Sequence, residues 1–302
     1  MECSKIEYEI AVAWNWQFDI EFINIIKEIA HNNNVSLLEI TPQNLNEILE
    51  NLNNNKIYFK VFLDRASDSD ENFKKIFNFI KKEKTYFINS YENVLFASDK
   101  ATMHLELISK GINSPYTIIL PPYNLEPNFS NIDLTPLGEK IIVKPAKGGG
   151  GEGVIMNIKN INEIQNARKQ FPNDKYLIQS FITPDFIDSK PAWFRVIFCF
   201  NEIFTFWWHP QTHIYSEISN EEKVKFNLDK LNDIVSVITN ICKLEIFSTE
   251  IALSNEKFIV VDYVNDQIDL RLKSQHQDGV PDEIVKKIAE KIIKFAKEFR
   301  CN

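Results

Sequence analysis

Five of the eight glycines in this 302-residue chain fall between Gly148 and Gly153, in the run Ile141-Ile-Val-Lys144-Pro-Ala-Lys147-Gly-Gly-Gly-Gly-Glu152-Gly153-Val154. Glycine this scarce elsewhere is not serving general flexibility. A run without Cβ atoms lets backbone N–H groups close on an anion and take positive φ, and two lysines stand just before it. The segment therefore reads as a phosphate-covering loop.

The flanks decide which kind of loop. Gly148-x-Gly150-x-x-Gly153 meets the spacing of a dinucleotide fingerprint, but that fold needs a helix opening at the loop. Val154-Ile-Met-Asn-Ile158 is apolar and β-branched and predicts a strand instead. No Gly-Lys-[Ser/Thr] closes the run, which excludes a P-loop. A protein-kinase loop would place its lysine after the glycines and carry a later His-Arg-Asp, and neither is present. What remains is a strand (140–145), a glycine turn and a returning strand (153–158), a hairpin able to close over nucleotide phosphates.

A length of 302 residues suits two or three packed lobes. With 44% hydrophobic and 25% charged residues the composition is that of a globular protein. The formal charge is −8 and only five of the 34 basic residues are arginine (Arg65, Arg168, Arg195, Arg271 and Arg300), which argues against a nucleic-acid surface. Cys3, Cys199, Cys242 and Cys301 lack metal-like spacing and are expected to stay reduced. No signal peptide or membrane-spanning apolar run is visible, so a cytoplasmic enzyme with no membrane partner is expected.

Periodicity predicts a strand at 7–14, a helix at 18–32 and a strand at 35–40. A helix follows at 43–52, then a strand over 56–63 ending in Asp64-Arg65, a helix at 72–82 and a strand at 85–89. Such β-α-β-α-β alternation predicts a small parallel α/β domain whose ligand-facing loops lie at the strands' carboxyl ends, where Trp14, Asn15, Trp16, Asp64 and Arg65 stand. Ser98 or Asp99 caps a helix that runs to Lys110 and stops at Gly111. Further strands are expected at 115–122 and 176–181, as a pair within 191–206 around Asn201-Glu202, and as a pair at 245–253 and 257–264. Helices are expected at 161–170, 228–242 and 281–299.

Taken in order, Asp99-Lys100 with Gly111-Ile-Asn-Ser-Pro115, Val143-Lys144-Pro145 with the glycine loop, Leu177-Ile-Gln-Ser-Phe-Ile182, Phe194-Arg195-Val196, Glu250 and Asp262-x-x-Asn265 resemble the motifs of the ATP-grasp enzymes over essentially the whole chain. The resemblance implies a mixed α/β and α+β architecture, with a small parallel α/β pre-grasp domain at 1–97 and two α+β lobes clamping ATP. Those lobes would be a central lobe with the glycine-rich hairpin at 98–184 and a C-terminal lobe with the metal ligands at 185–302.

By the same resemblance Lys100 and Lys144 contact ATP phosphates, with Gly148, Gly149, Gly150, Gly151 and Gly153 lying over the β and γ groups. Lysine suits that task because it supplies a point charge without demanding forked geometry. Gln179, Ser180, Phe181 and Ile182 would form the hinge that holds adenine, with Gln179 where a glutamate is usual, and Asp185 or Asp188 would meet the ribose. Arg195 is the one charge inside Trp193-Phe-Arg-Val-Ile-Phe-Cys-Phe200 and needs an anion, either a transferring phosphoryl group or a structural carboxylate. Glu250 and Asp262 offer the hard oxygens that Mg²⁺ or Mn²⁺ prefers, two ions being implied, and Asn265 adds a neutral one. The family motif has one spacer before its asparagine, whereas this chain has two. Strand alternation then points Asn265 away unless a bulge intervenes, with Asp266 as the substitute. Asp269 and Arg271 stand where the family holds its second substrate.

Three functions stay open on this reading. One is a ligase that activates a small carboxylate as an acyl phosphate for attack by an amine, with catalytic roles for Lys144, Arg195 and Arg271. The second is a kinase acting on a hydroxyl, and the third a nucleotide-binding subunit without turnover. Partners would be small molecules, and a homodimer through the first domain fits the family. His209 and His213, in Trp207-Trp-His-Pro-Gln-Thr-His-Ile-Tyr215, are read as a packed loop at the cleft mouth, not a zinc site.

Overall fold

The computed structural model describes residues 5–81, 84–129 and 132–300. Cys3, Cys301 and the predicted helix end at Lys82 lie outside the described residues.

The first body contains β1 (Ile6–Trp14), α1 (Ile20–Asn32), β2 (Leu37–Ile40), α2 (Leu45–Asn53), β3 (Ile57–Arg65), α3 (Lys75–Ile80) and β4 (Tyr86–Ile88). Its strands form an all-parallel sheet in the order β2-β1-β3-β4. Phe22, Ile23, Ile26 and Ala30 make the buried stripe of α1 at helical spacing. Short 3₁₀ turns at Gln17–Asp19 and Glu71–Lys74 precede α1 and α3, where the sequence pattern predicted unbroken helices.

Next come α4 (Tyr91–Ser98) and α5 (Lys100–Ser109). The Asp99 carboxylate caps α5 by accepting the Thr102 N–H at 3.0 Å, and Gly111, at φ +74°, follows its end. Helix α4 was not predicted. Only Ala97 of its residues is buried, so it carries no apolar stripe to read, and it packs on α5 and on a later helix.

The central sheet is antiparallel in the order β5-β8-β6-β7, built from β5 (Thr117–Leu120), β6 (Ile141–Pro145), β7 (Ile155–Ile158) and β8 (Tyr176–Ser180), with α6 (Ile161–Arg168) between the last two. The strand after the glycines starts at Ile155 rather than Gly153, because the run turns back on itself through Val154, whose N–H donates to the Gly151 carbonyl.

A two-stranded ribbon, β9 (Phe186–Ile187) and β10 (Lys190–Pro191), leads into the C-terminal body. That body comprises β11 (Trp193–Cys199), β12 (Glu202–Trp208), β13 (Tyr215–Glu217), α7 (Asn220–Lys225), α8 (Lys230–Cys242), β14 (Ile246–Ser254), β15 (Lys257–Asn265) and α9 (Asp282–Glu298). The antiparallel order is β13-β12-β11-β14-β15. Every residue of β11 is buried because both faces of the sheet are covered. Ile197 and Cys199 join a core with α1 and α9, whereas Phe194, Val196 and Phe198 join one with α8. Helix α9 buries Ile284, Val285, Ile288, Ala289, Ile292, Ile293 and Ala296 and packs on α1 and β1, its larger side chains contributing roughly 1.5–3 kcal/mol each.

Polar ties fix the first body to the third. Arg65 forks onto the Asp19 carboxylate at 2.9 and 2.6 Å and also donates to the Ile268 carbonyl at 3.0 Å. Glu245 accepts the Tyr86 hydroxyl and the Asn89 N–H. No described helix is long and apolar enough to cross a membrane.

Candidate nucleotide and metal site

Lys144 lies on β6, opposite Leu177 of β8, and is 9% exposed. Its ammonium sits 5.4 Å from the centre of the Tyr263 ring. Burial pulls its pKa down to about 8, with Asp262 and Glu250 opposing that fall and Lys100 adding to it, so these four charges share one neighbourhood. Lys100 opens α5, and its ammonium donates to the Gly148 carbonyl at 2.5 Å while its N–H donates to the Ala146 carbonyl at 2.8 Å. The start of the helix is thereby tied to the start of the glycine loop. Gly148, Gly150 and Gly151 have positive φ, and a Cβ at any residue from Gly148 to Gly151 would meet nothing within 4 Å. Gly153 is different, since its Cβ would lie 2.7 Å from Phe171 Cε2. The loop is free above and pinned at its C-terminal end.

Strand pairing brings the acidic residues together. Arg195 lies directly opposite Glu250, and Glu250 opposite Asp262. A two-residue step on β14 from Ser248 to Glu250 is matched by a three-residue step on β15, so a bulge lies between Asp262 and Asn265 and Asn265 pairs with Ser248. Paired residues project to the same face, so the bulge turns Asn265 back to the side of Asp262 despite the second spacer. Arg195 donates to Glu250 at 2.5 Å and to Ser248 Oγ at 2.8 Å, and its guanidinium lies 5.5 Å from the Trp208 ring. Its Nε is buried and has no hydrogen-bond partner. Glu250 also accepts the Trp193 indole N–H at 3.1 Å. Burial, together with Asp262 beside it, pushes the Glu250 carboxyl up even against the Arg195 charge, so an added cation would be welcome there. Among the described residues no cluster of three or more His, Cys, Asp and Glu forms a protein-only metal cage. Two carboxylates and an amide oxygen suit an ion that completes its shell from phosphate and water. Asp266 is pushed up to about 6 by burial.

The hinge residues are more engaged than the sequence suggested. Gln179 is 3% exposed, and its amide nitrogen donates to Thr117 Oγ1 and to the Tyr263 hydroxyl, each at 2.8 Å. The Ser180 and Phe181 N–H groups donate to the Tyr116 and Lys140 carbonyls, and Ile182 packs on the core shared by α1 and α9. The carboxylate of Asp185, expected at the ribose, accepts the Asn255 and Glu256 N–H groups and so braces the turn between β14 and β15. Asp188 pairs with Lys225 at 3.1 Å.

A cleft of about 230 Å³ opens where the loops after β1 and β3 face the segment after β15, with Trp16, Arg65, Asp68, Ser69, Gln267 and Asp269 in its wall. Arg271 binds Asp269 through Nε and Nη2 and reaches Asp278 at 2.8 Å, so its fork is already filled. Asn15 accepts the Ser69 hydroxyl, Trp14 donates to Glu39, and Asp64 caps the turn at Ala66 and Ser67. In the histidine loop His213 stacks on Trp208 at 4.8 Å, and His209 Nδ1 accepts the N–H groups of Gln211 and Thr212.

A parallel sheet is thus followed by two antiparallel sheets, with Lys144 on one and Glu250 and Asp262 on the other, and solved ATP-grasp structures match this fold along nearly their full length. The chain has the ATP-grasp fold. D-alanine–D-alanine ligase from Bacillus anthracis complexed with ATP superposes with a TM-score of 0.66 at 15% identity, covering 97% of this chain and 99% of that one. ATP-grasp ligase PsnB, complexed with precursor peptide PsnA2 and AMPPNP, gives 0.64 at 13% identity over 97% and 100% of the two chains. D-cycloserine synthetase DcsG gives 0.62 at 10% identity over 95% and 99%. By sequence, no family model and no curated protein matches.

Two residues at the seam of the ATP-grasp lobes were not singled out from sequence. His104 shares the buried face of α5 with Ala101 and Leu107, a helical spacing that marks it as inward-facing. Tyr263 has no local signal, because what sets it apart is the lysine and glutamine that other strands bring to it.

Proposed function

We propose that the chain is an ATP- and Mg²⁺-dependent ligase that joins a small carboxylic acid to an amine. The convergence of Lys100, Lys144 and Arg195 with Glu250, Asp262 and Asn265, beneath an unobstructed glycine loop, carries this reading. It is kept with the division into a pre-grasp domain (1–97), a central lobe (98–184) and a C-terminal lobe (185–302).

Lys144 and Lys100 hold the triphosphate, and the open N–H groups of Gly148 to Gly151 close over its β and γ groups. Glu250, Asp262 and Asn265 would hold a divalent ion, which would supply neutralisation of the phosphate charge. The substrate carboxylate oxygen attacks the γ-phosphorus, the bond to the bridging oxygen breaks, and ADP leaves. The amine nitrogen then attacks the acyl carbon, phosphate departs with the bonding electrons, and the amine proton passes to solvent. Arg195, oriented by Glu250 and Ser248, supplies positive charge to the transferring group. The closed hairpin keeps water from the acyl phosphate.

The second substrate is assigned to the cleft beside Trp16. The guanidinium in its wall, Arg65, is satisfied by the Asp19 carboxylate, and Asp269 of the wall is already paired with Arg271. Asp68 adds negative charge, so the seat favours the amine over a free carboxylate.

Incubation with Mg-ATP, pooled metabolites and hydroxylamine tests the reaction class. A hydroxamate identifies an acyl phosphate and names the acid by mass. ADP with a phosphorylated metabolite and no hydroxamate moves the chain to the kinase class, and nucleotide binding without ADP removes catalysis altogether.

A further inference from the structure

Tyr263 follows Asp262 on β15 and is 1% exposed. Its ring lies against the Lys144 ammonium, and its hydroxyl sits 2.8 Å from Gln179 Nε2 and 2.9 Å from His104 Nδ1. An amide nitrogen only donates, so the tyrosine oxygen accepts from Gln179, which leaves its own proton free to go to His104 Nδ1. That assignment requires a neutral His104 with its proton on Nε2. Burial, reinforced by the Lys144 charge, holds the His104 pKa down to about 4, in agreement. Gln179 also donates to Thr117, whose hydroxyl donates to the Pro115 carbonyl. Side chains from β5, β8, β15 and α5 thus meet in one directed network, with both antiparallel sheets represented.

We propose that Tyr263 is a positioning residue for nucleotide binding: its ring seats the Lys144 ammonium, and its hydroxyl, clamped by Gln179 and His104, fixes that ring across the seam between the two antiparallel sheets. A buried ammonium over an aromatic face is attracted by the ring quadrupole, more strongly for lack of water. A lysine left without that seat is in place only part of the time, and affinity for its ligand falls by that fraction. The same clamp holds the segment of β15 that bears Asp262, so nucleotide and metal sides of the cleft are fixed together. The inference rests on Lys144 being a phosphate ligand.

The test is calorimetric titration of the whole chain with a non-hydrolysable ATP analogue, so that no turnover enters the readout. Tyr263→Phe keeps the ring and removes the hydroxyl. 3,4,5-Trifluorophenylalanine in place of Tyr263 keeps nearly the same shape but drains the negative face of the ring. The fluorinated protein is expected to melt with Tyr263→Phe and to bind the analogue about five- to tenfold more weakly than it does. In a Lys144→Ala background the same fluorination should change nothing. Equal affinity of the phenylalanine and fluorinated proteins overturns the proposal, as does a fluorination effect that persists without Lys144. If Lys144→Ala itself binds as tightly as the unaltered chain, it is the phosphate-ligand reading that fails.

Discussion

At the scale of single residues, the central fact is a lysine buried where its charge is costly. The Lys144 pKa lies at about 8, against an ordinary 10.5, chiefly because of burial. Between those values the unfolded chain binds the extra proton, so this group makes the fold more stable as pH rises through that window. On the proposed reading nucleotide binding runs the other way, since a phosphate held by Lys144 needs the ammonium. ATP affinity is therefore expected to weaken above about pH 8, which isothermal titration across pH 7 to 9.5 would read. Lys144→Ala should lose about 1.5–3 kcal/mol of ATP affinity and abolish that pH dependence, while its unliganded melting temperature is kept or raised. Asp262→Asn should still bind ATP yet lose Mg-dependent ADP formation by about a hundredfold or more, and persistent turnover would remove Asp262 from the metal site. Lys144, Glu250 and Asp262 could be picked out from sequence because the motifs that carry them resemble those of ATP-grasp enzymes. The fork of Arg271 on Asp269 and Asp278 could not, because only folding of the segment after β15 fixes which carboxylates surround that arginine.

At the scale of elements, the glycine hairpin divides into a free part and an anchored part. Gly149 has ordinary φ and open space around its would-be Cβ, whereas Gly153 combines φ +70° with contacts at 2.7 Å to Phe171 and 3.1 Å to Pro145. Gly153→Ala is expected to destabilise the protein by about 1–3 kcal/mol, and Gly149→Ala to leave stability within about 0.5 kcal/mol. Chemical denaturation of the two variants checks this, and equal stability would mean the anchor is absent. The run itself was plain in the sequence. Its anchoring was not, since Phe171 and Pro145 reach Gly153 only after α6 and β6 have packed. The bulge in β15 is a similar case. The extra spacer before Asn265 was legible, but whether it turns a side chain away or is absorbed depends on pairing with β14.

At the scale of the whole molecule, the first body is held to the third by the α1–α9 core and by the Arg65–Asp19 clasp that also reaches Ile268. Both side chains are nearly buried, so removing one partner leaves an uncompensated charge. Asp19→Asn should cost about 3–5 kcal/mol of stability by denaturant unfolding, and a loss below about 1 kcal/mol would show that the clasp is not structural.

The sequence alone determined the parallel first sheet, the glycine hairpin and the capped helix α5, because each rests on residue type and spacing along one strand or helix, and the order of the lysine-, glycine- and acid-bearing motifs was legible as a resemblance to ATP-grasp enzymes. The tertiary structure decided which charges are already satisfied. It gave Asp185 to a turn, Arg271 to two aspartates and Gln179 to Tyr263, and it brought Lys144 over an aromatic ring that lies 119 residues further along the chain. Hydrogen bonds and ion pairs between distant segments depend on how the sheets pack, and local periodicity holds no record of that.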